Sequence, residues 1–368
     1  MSANQLLRKL ISTDYKTDNF TFNYYELPLT QPYRWAKGEH FVRCGIFVRY
    51  QVGDVVGYGE IAPPPHLKVD AEGSFLAAKN LLEKFNGKFE NFPNQVSIDE
   101  INPRIRCGLV SAWFDAQAKI ANISFANCLG KYLEIARTAA TSIPINALIT
   151  DKTPEAAREK ALEQSKKGIT TFKVKLTADH ELDFQRVKAV REALPTAYIR
   201  LDPNGAWTVD NVLERMNQFA QFVIQYAEDP LPGEGGLQSY RKIKGKTPFK
   251  IAIDELAFFD QIEVIAKEKL ADVVILKPQR LGGADNAIKA HEIASRYGIQ
   301  STITSSLESA IGDMVTMQTA SLFQQPINHC GMGTGRFIKE NVAELPEIID
   351  GKITLPTGAG LGLEILNF

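Results

Sequence analysis

Net charge is almost absent from this 368-residue sequence: 42 lysines and arginines face 43 aspartates and glutamates, leaving −1 at pH 7. That balance gives no electrostatic reason to expect nucleic acid or anionic lipid as a partner. Residues 1–18 lack a long apolar run, so neither a secretory signal nor a membrane anchor is expected. Cysteine is scarce and scattered: Cys44, Cys107, Cys128 and Cys330 show no paired metal-ligand spacing. The expectation for them is buried free thiols in a reducing cytoplasm. Low-complexity tracts and strong sequence repeats are also missing. What is there is an ordinary globular composition, 44% apolar and 23% charged, in a chain long enough for two domains.

Residues 18–62 read as strands. Residues 41–50 are rich in β-branched and aromatic side chains, Gly53-Asp54 supplies a turn, and 55–61 returns. Two helical patterns follow, one through Phe75, Leu76, Leu81, Leu82 and Phe85, the other over 105–120 with Leu109, Trp113 and Ala116 on one stripe. Strands followed by helices suggest an α+β domain over residues 1–140. Segments 31–41 and 57–67, the latter with Pro63-Pro64-Pro65-His66, read as loops able to close over a site and exclude water.

From Ile143 the pattern becomes strict alternation. Strand candidates are 143–149, 171–176, 198–202, 223–228, 250–254, 272–277, 300–304 and 327–331, with helices between most of them. Thr153 reads as an N-cap, Pro154 as a first-turn residue and Gly168 as a stop. A second helix is expected over 179–194, ended by Pro195. Eight such units suggest a TIM-like barrel over 141–335. A doubly wound sheet stays open at this point, although no Gly-rich dinucleotide fingerprint follows the first strand. Residues 336–368 read as a tail returning to the first domain.

Lys173 and Lys175 lie two residues apart on one strand candidate, so both ammonium groups point to the same face. Two like charges side by side suit a site that contains anions. Downstream, apolar strands end in Asp202, Glu228, Asp254 and Lys277, roughly one ionisable residue per strand–helix unit of about 25 residues. Functional groups of a barrel sit at the C-terminal ends of its strands. Three converging carboxylates repel one another, and a hard divalent cation relieves that repulsion. Oxygen ligands favour Mg²⁺, with Mn²⁺ as a substitute. Asp229 and Glu255, next to two of these acids, are alternative ligands. An unperturbed lysine has a pKa near ~10.4, so about one in 2,500 is free base at pH 7, and lowering it to about 7 takes roughly 4–5 kcal/mol. Burial, Lys173 and a nearby cation all push Lys175 that way. The segment from Thr304 through Ser305, Ser306, Leu307, Glu308 and Ser309 ends a strand and starts a helix. Its hydroxyls and N–H groups could hold a substrate carboxylate. The segment His329-Cys330-Gly331-Met332-Gly333-Thr334 ends the last strand, and its glycines allow close backbone approach to a ligand.

In order and spacing, these motifs resemble the enolase superfamily, in its muconate-lactonizing-type subgroup with paired lysines. The resemblance spans nearly the whole chain. It rests on Gly57-Tyr58-Gly59-Glu60, Arg106-Cys107 through Ala118-Lys119, Lys173-Val174-Lys175, Asp202-Pro203-Asn204-Gly205-Ala206-Trp207, Glu228-Asp229-Pro230, Asp254-Glu255 and Lys277-Pro278. It implies a modified (β/α)7β barrel with an N-terminal α+β capping domain completed by the C-terminal tail. Asp202, Glu228 and Asp254 would hold Mg²⁺, and Lys175 and Lys277 would face each other across a substrate that loses a proton α to a carboxylate. Pro203 departs from the commoner Ala and should face away from the metal. Within the subgroup, Ser305 through Gly312 is similar to the o-succinylbenzoate synthase family. That family dehydrates 2-succinyl-6-hydroxy-2,4-cyclohexadiene-1-carboxylate to 2-succinylbenzoate in menaquinone or phylloquinone biosynthesis.

That likeness implies Lys175 as base and then acid, Lys277 as a charged stabiliser, Lys173 in support, and Asn204, Ser305, Ser306, Gly331 and Met332 around the substrate. The alternatives are an N-succinylamino acid racemase, a dipeptide epimerase and a muconate-type cycloisomerase. No Asp-x-Asp pair stands near 330–334 to hold a dipeptide ammonium, which counts against the epimerase. A Schiff-base aldolase does not need three metal carboxylates, and a non-catalytic barrel has no reason to keep both lysines and all three acids. The expected partner is a small-molecule carboxylate, with no nucleic acid and no membrane, in a monomer or a homo-oligomer.

Overall fold

The structure, a computed structural model, describes residues 11–35, 38–65 and 67–366. The first part is a four-stranded antiparallel sheet of β1 (Ile11–Lys16), β2 (Phe20–Trp35), β3 (Gly38–Val52) and β4 (Val55–Ile61), in that order. Phe20, Phe22, Tyr25 and Leu27 of β2 and Ile46, Val48 and Tyr50 of β3 turn inward. They meet α1 (Ala71–Leu82), α2 (Phe92–Gln95) and α3 (Pro103–Ile120), while α4 (Phe125–Tyr132) packs on α3. The motif Gly57-Tyr58-Gly59 has a steric cause. A Cβ at Gly57 or Gly59 would fall 2.0 Å from the carbonyl oxygens of Ala112 and Gly108, so only glycine lets β4 lie on α3.

Two of the expected loops are partly strand. β2 and β3 continue through Tyr33↔His40, Arg34↔Glu39 and Trp35↔Gly38, because ladder pairing satisfies these backbone groups even where apolar alternation fades. Residues 57–61 belong to β4. Residues 36–37 and His66, within the expected loops, lie outside the described residues.

The second part is a parallel sheet of seven strands. β6 (Ala147–Ile149), β7 (Thr171–Lys175), β8 (Tyr198–Asp202), β9 (Ile224–Glu228), β10 (Lys250–Ile253), β11 (Val273–Leu276) and β12 (Gln300–Ile303) lie side by side in chain order. The helices between them are α5 (Pro154–Ser165), α6 (His180–Ala193), α7 (Val212–Ala220), α8 (Gly236–Ile243), α9 (Phe259–Lys267), α10 (Pro278–Leu281) and α11 (Ala284–Arg296); α12 (Ala310–Ala320) follows β12. The helix punctuation works as the sequence indicates. Thr153 accepts a hydrogen bond from the Ala156 N–H, and Asp179 accepts one from the Leu182 N–H.

Both ends of the expected eight-strand series differ. Candidate 143–149 splits: β5 (Ser142–Pro144) pairs antiparallel with β14 (Lys352–Thr354), itself paired with β13 (Ile348–Ile349), and only β6 joins the parallel sheet. Candidate 327–331 shrinks to the bridges Ile145↔Cys330 and Thr304↔Gly331, which link the region of β6 to that of β12. Gly331 sits against the Thr304 side chain, at a crowded seam with room for a bridge. The C-terminal tail reaches the first part, where Phe125 N–H donates to Gly360 O and Leu361 N–H to Asp115 Oδ1 at 2.8 Å.

Glu60, at the end of β4, ties the two parts together. Its carboxylate accepts from the Ser309 N–H at 3.0 and 3.1 Å, from Ser309 Oγ at 2.5 Å, from the Gly312 N–H at 2.9 Å and from the Tyr25 hydroxyl. A carboxylate at the α12 N-terminus meets unsatisfied donors and the positive end of the helix dipole.

All four cysteines are free; Cys107 and Cys330 are buried, Cys44 and Cys128 half-buried. Among the described residues no helix is long and apolar enough to cross a membrane.

His291 of α11 gives the fold a pH dependence. Its Nε2 accepts from the Gln324 N–H at 2.9 Å, Nδ1 lies 2.5 Å from Ser301 Oγ, and the ring stacks on Phe323. An accepting Nε2 is unprotonated, and burial pushes the imidazole down to about 4 from 6.5. The unfolded chain therefore takes up a proton that the folded chain refuses. Stability contributed by the neutral ring is full above pH 6.5, falls as pH drops towards about 4, and levels off below. Urea midpoints measured from pH 7 to 4 should decline more steeply in the wild type than in His291→Gln; parallel curves would remove His291 from the effect.

Candidate active site

The C-terminal strand ends open into a cavity of about 1200 Å³. Lys173, Lys175, Asp202, Glu228, Asp254 and Lys277 all line it. Each arrives by the same rule: the last residues of a parallel strand, or the first after it, project where the following loop begins. On β7 the pleat sends Lys173 and Lys175 to this face while Phe172 and Val174 are fully buried on the other. β7 and β11 are separated by β8, β9 and β10. Lys175 and Lys277 thus flank the arc that carries the three acids.

The charges are closely matched. Lys173 Nζ bridges Glu228 Oε1 at 2.5 Å and Asp202 Oδ2 at 2.9 Å. Lys175 Nζ donates to Asn204 Oδ1 at 2.8 Å and lies 3.6 Å from Asp202 Oδ2. Lys277 Nζ meets Asp254 Oδ2 at 2.5 Å, and Arg280 Nη1 meets Asp254 Oδ1 at 2.6 Å. Asn204 Nδ2 in turn donates to Asp202 Oδ1 at 2.7 Å, so one amide orients both an acid and a lysine.

Burial opposes the charges of Asp202, Asp254, Lys173 and Glu228, and the partners decide the outcome. Burial raises Asp202 and Asp254, but Lys173 and Lys175 pull the first below the usual carboxylate range, and Arg280 and Lys277 pull the second well below it. Burial lowers Lys173, yet Asp202 and Glu228 carry it well above an ordinary lysine. Glu228 stays raised, because burial and the neighbouring Asp202 and Asp254 outweigh Lys173.

The three acids stand on neighbouring strand ends, each turned to a cation. Among the described residues no three His, Cys, Asp or Glu side chains form a ready-made metal cluster. The donor set nonetheless fits a hard divalent cation. All three groups offer carboxylate oxygen, and Glu228 Oε2 is buried without a hydrogen-bond partner among the described residues. A buried orphan carboxylate oxygen is costly unless something positive occupies its lone pairs. Asp229 is no alternative ligand: its carboxylate accepts from the Asp254 N–H at 2.9 Å and the Glu255 N–H at 2.7 Å, bracing the loop after β10. Glu255 lines the cavity.

The segment after β12 departs from expectation. The Ser305 N–H donates to Gly331 O, the Ser306 N–H to Glu308, and the Ser309 N–H to Glu60. The anion at this helix N-terminus is therefore Glu60, and those amides have no free donor for a substrate carboxylate. The reason is tertiary, since a side chain from β4 reaches them first. Ser305 and Ser306 still line the cavity, with Ser305 Oγ 2.8 Å from Thr334 Oγ1, and so do Asn204, Gly331 and Met332. Pro64, Pro65 and Leu67 enter from the first part.

Among the cavity residues that the sequence did not single out are Arg280 and Arg104. Arg280 had a signal: Pro278 starts a helix, and a residue three beyond Lys277 comes round beside it. Arg104 sits far away in sequence and had none.

Residues 156–367 match the family described as Enolase C-terminal domain-like. An o-succinylbenzoate synthase of Thermobifida fusca is 30% identical over 210 residues, 56% of this chain and 63% of the relative, so the chain spans less than two thirds of that relative's length. An N-succinyl-L-Arg/Lys racemase of Bacillus cereus is 25% identical over 312 residues, 80% of this chain and 81% of the relative. The dipeptide epimerase of Enterococcus faecalis, solved in complex with Mg and the dipeptide L-Leu-L-Tyr, superposes with a TM-score of 0.82 at 21% identity, covering 96% of this chain and 99% of that one. The last likeness shows the fold.

Proposed function

The chain belongs to the Enolase C-terminal domain-like family of the enolase superfamily, and from that premise we propose that it is an o-succinylbenzoate synthase. The reaction is loss of water from 2-succinyl-6-hydroxy-2,4-cyclohexadiene-1-carboxylate to give 2-succinylbenzoate, in menaquinone or phylloquinone biosynthesis. The observation that carries the proposal is the pair of cavity lysines, Lys175 and Lys277, flanking the three-acid arc from separate strands. The similarity of Ser305 through Gly312 to that family, and a relative of that name, favour the dehydration. In this assignment residues 1–140 cap the barrel of 141–335, and 336–368 return to the cap.

The chain's own residues divide the work. Asp202, Glu228 and Asp254 would hold Mg²⁺, or Mn²⁺ in its place; when bound, it neutralises charge that builds on the substrate carboxylate as the α proton leaves. Lys175 Nζ takes that proton and returns it to the departing hydroxide on the same face. The ring becomes aromatic and water leaves. Lys277, anchored on Asp254, keeps its charge beside the developing anion. Lys173 holds Asp202 and Glu228 in place, and Asn204 orients Lys175. Pro64, Pro65 and Leu67 help exclude water.

A second reading, N-succinylamino acid racemase, has the longer relative alignment in its favour, and two lysines flanking one cavity also suit a two-base proton exchange. One panel decides. Protein with Mg²⁺ should convert the cyclohexadiene with a rise in aromatic absorbance, and should lose that activity on chelation and regain it with Mg²⁺. Absence of the rise, together with racemisation of N-succinylamino acids, would transfer the assignment to the racemase.

A further inference from the structure

Two arginines in the first turn of α3 have opposite fates. Arg106 uses both ends of its guanidinium: Nε donates to Val96 O at 2.5 Å, and Nη1 and Nη2 reach Asp285 at 3.0 and 2.9 Å. Arg104 donates only its backbone N–H, to Asn102 Oδ1. Its half-buried side chain lines the cavity, and among the described residues it makes no hydrogen bond or ion pair.

The neighbourhood of Arg104 is positive. Burial and the nearby charges of Arg280 and Arg43 all push its guanidinium below the ordinary arginine value. Arg280 is paired with Asp254, which it shares with Lys277. Arg43 is fixed by carbonyl groups, Leu307 O at 2.6 Å and Cys44 O at 2.8 Å, and its buried Nη2 has no partner among the described residues. Among the described residues no carboxylate offsets Arg104. The cavity therefore has two unlike regions, a floor of acids and lysines in balance and a cap-side wall with an uncompensated cation.

We propose that Arg104 is a specificity-determining residue that binds a second, distal carboxylate of the substrate, so that the site selects dicarboxylates. The inference rests on the reading above, in which the first carboxylate sits beside the reacting carbon. A guanidinium presents a planar fork that matches a carboxylate bidentately. A monocarboxylate of similar shape leaves that fork unpaired and lacks the added binding. The N–H groups of Ser305, Ser306 and Ser309 are already taken by Gly331, Glu308 and Glu60, and Arg104 is an unspent cationic donor on this wall among the described residues.

The test measures binding of two matched pairs by calorimetry: 2-succinylbenzoate against 2-butyrylbenzoate, and N-succinyl-L-phenylalanine against N-butyryl-L-phenylalanine, each with Mg²⁺. In at least one pair the wild type should prefer the succinyl member about 10- to 100-fold, the worth of a hydrogen-bonded charged contact. Arg104→Gln should erase that preference without changing the affinity of the butyryl member, and Arg104→Lys should restore part of it. A wild-type preference retained in Arg104→Gln, or no preference in either wild-type pair, overturns the subsite. The butyryl affinity and an unchanged unfolding midpoint guard against a misfolded variant. The readout is separable from the parent reading: if the cyclohexadiene is not dehydrated but the preference and its loss are observed, the subsite stands and the assigned reaction falls.

Discussion

Lys175→Ala should lower turnover of the cyclohexadiene by at least about 10²–10⁴-fold, the usual worth of one acid–base group. The proposed chemistry asks Lys175 to act twice, as base and then as acid, so the upper end of the range is expected. The fold should survive. Lys175 donates a hydrogen bond to Asn204 and lies 3.6 Å from Asp202, and Asp202 keeps Lys173 at 2.9 Å after the change. Mg²⁺ affinity, measured by calorimetry, should therefore stay close to wild type while kcat collapses. Exchange of the substrate's α proton with deuterated solvent gives an independent reading, because it reports proton removal whether or not hydroxide leaves. Wild-type turnover or exchange in the variant would take Lys175 out of the mechanism.

Asp285→Ala should cost about 3–5 kcal/mol of stability, the usual penalty for stranding one partner of a buried ion pair. Asp285 is fully buried on α11, and Arg106 beside it is 2% exposed on α3. The contact is bidentate, and the rest of the guanidinium is bound to the carbonyls of Pro93, Val96 and Gly282. Arg106 is thus locked into a polar socket between the first part and the barrel, and removing Asp285 leaves its charge without a counter-ion. The urea midpoint should fall by the corresponding amount. A control is the solvent-exposed Arg241–Glu268 pair, which is also bidentate, at 2.6 and 2.7 Å. Glu268→Gln should leave the midpoint unchanged, because water screens that pair and solvates the arginine left behind. Equal midpoints for Asp285→Ala and wild type would show that the socket contributes specificity and no stability.

The alternation of apolar strand and amphipathic helix from Ile143 onward was legible in the residues, because parallel strands are buried on both faces and end where an ionisable residue enters the loop. That local rule located Lys173, Lys175, Asp202, Glu228 and Lys277 on one cavity, together with Asp254 just past β10. The Thr153 cap was legible for the same reason: its hydroxyl satisfies an N–H group three residues on. The two ends of the barrel were not. A strand's pairing partner is set by which backbone edge is within reach, so β5 left the parallel series for β14 and the last candidate became two bridges.

The sequence by itself determined which residue types stand at the strand ends, and hence the fold class and the acids and lysines that line the cavity, because both follow from short-range periodicity. Tertiary structure alone decided who meets whom. It gave the α12 amides to Glu60 from about 250 residues away, aimed Asp229 at the backbone, and left the Arg104 side chain without a partner among the described residues. Hydrogen bonds and ion pairs act over a few ångströms of space, and nothing in the order of residues along a chain measures that distance.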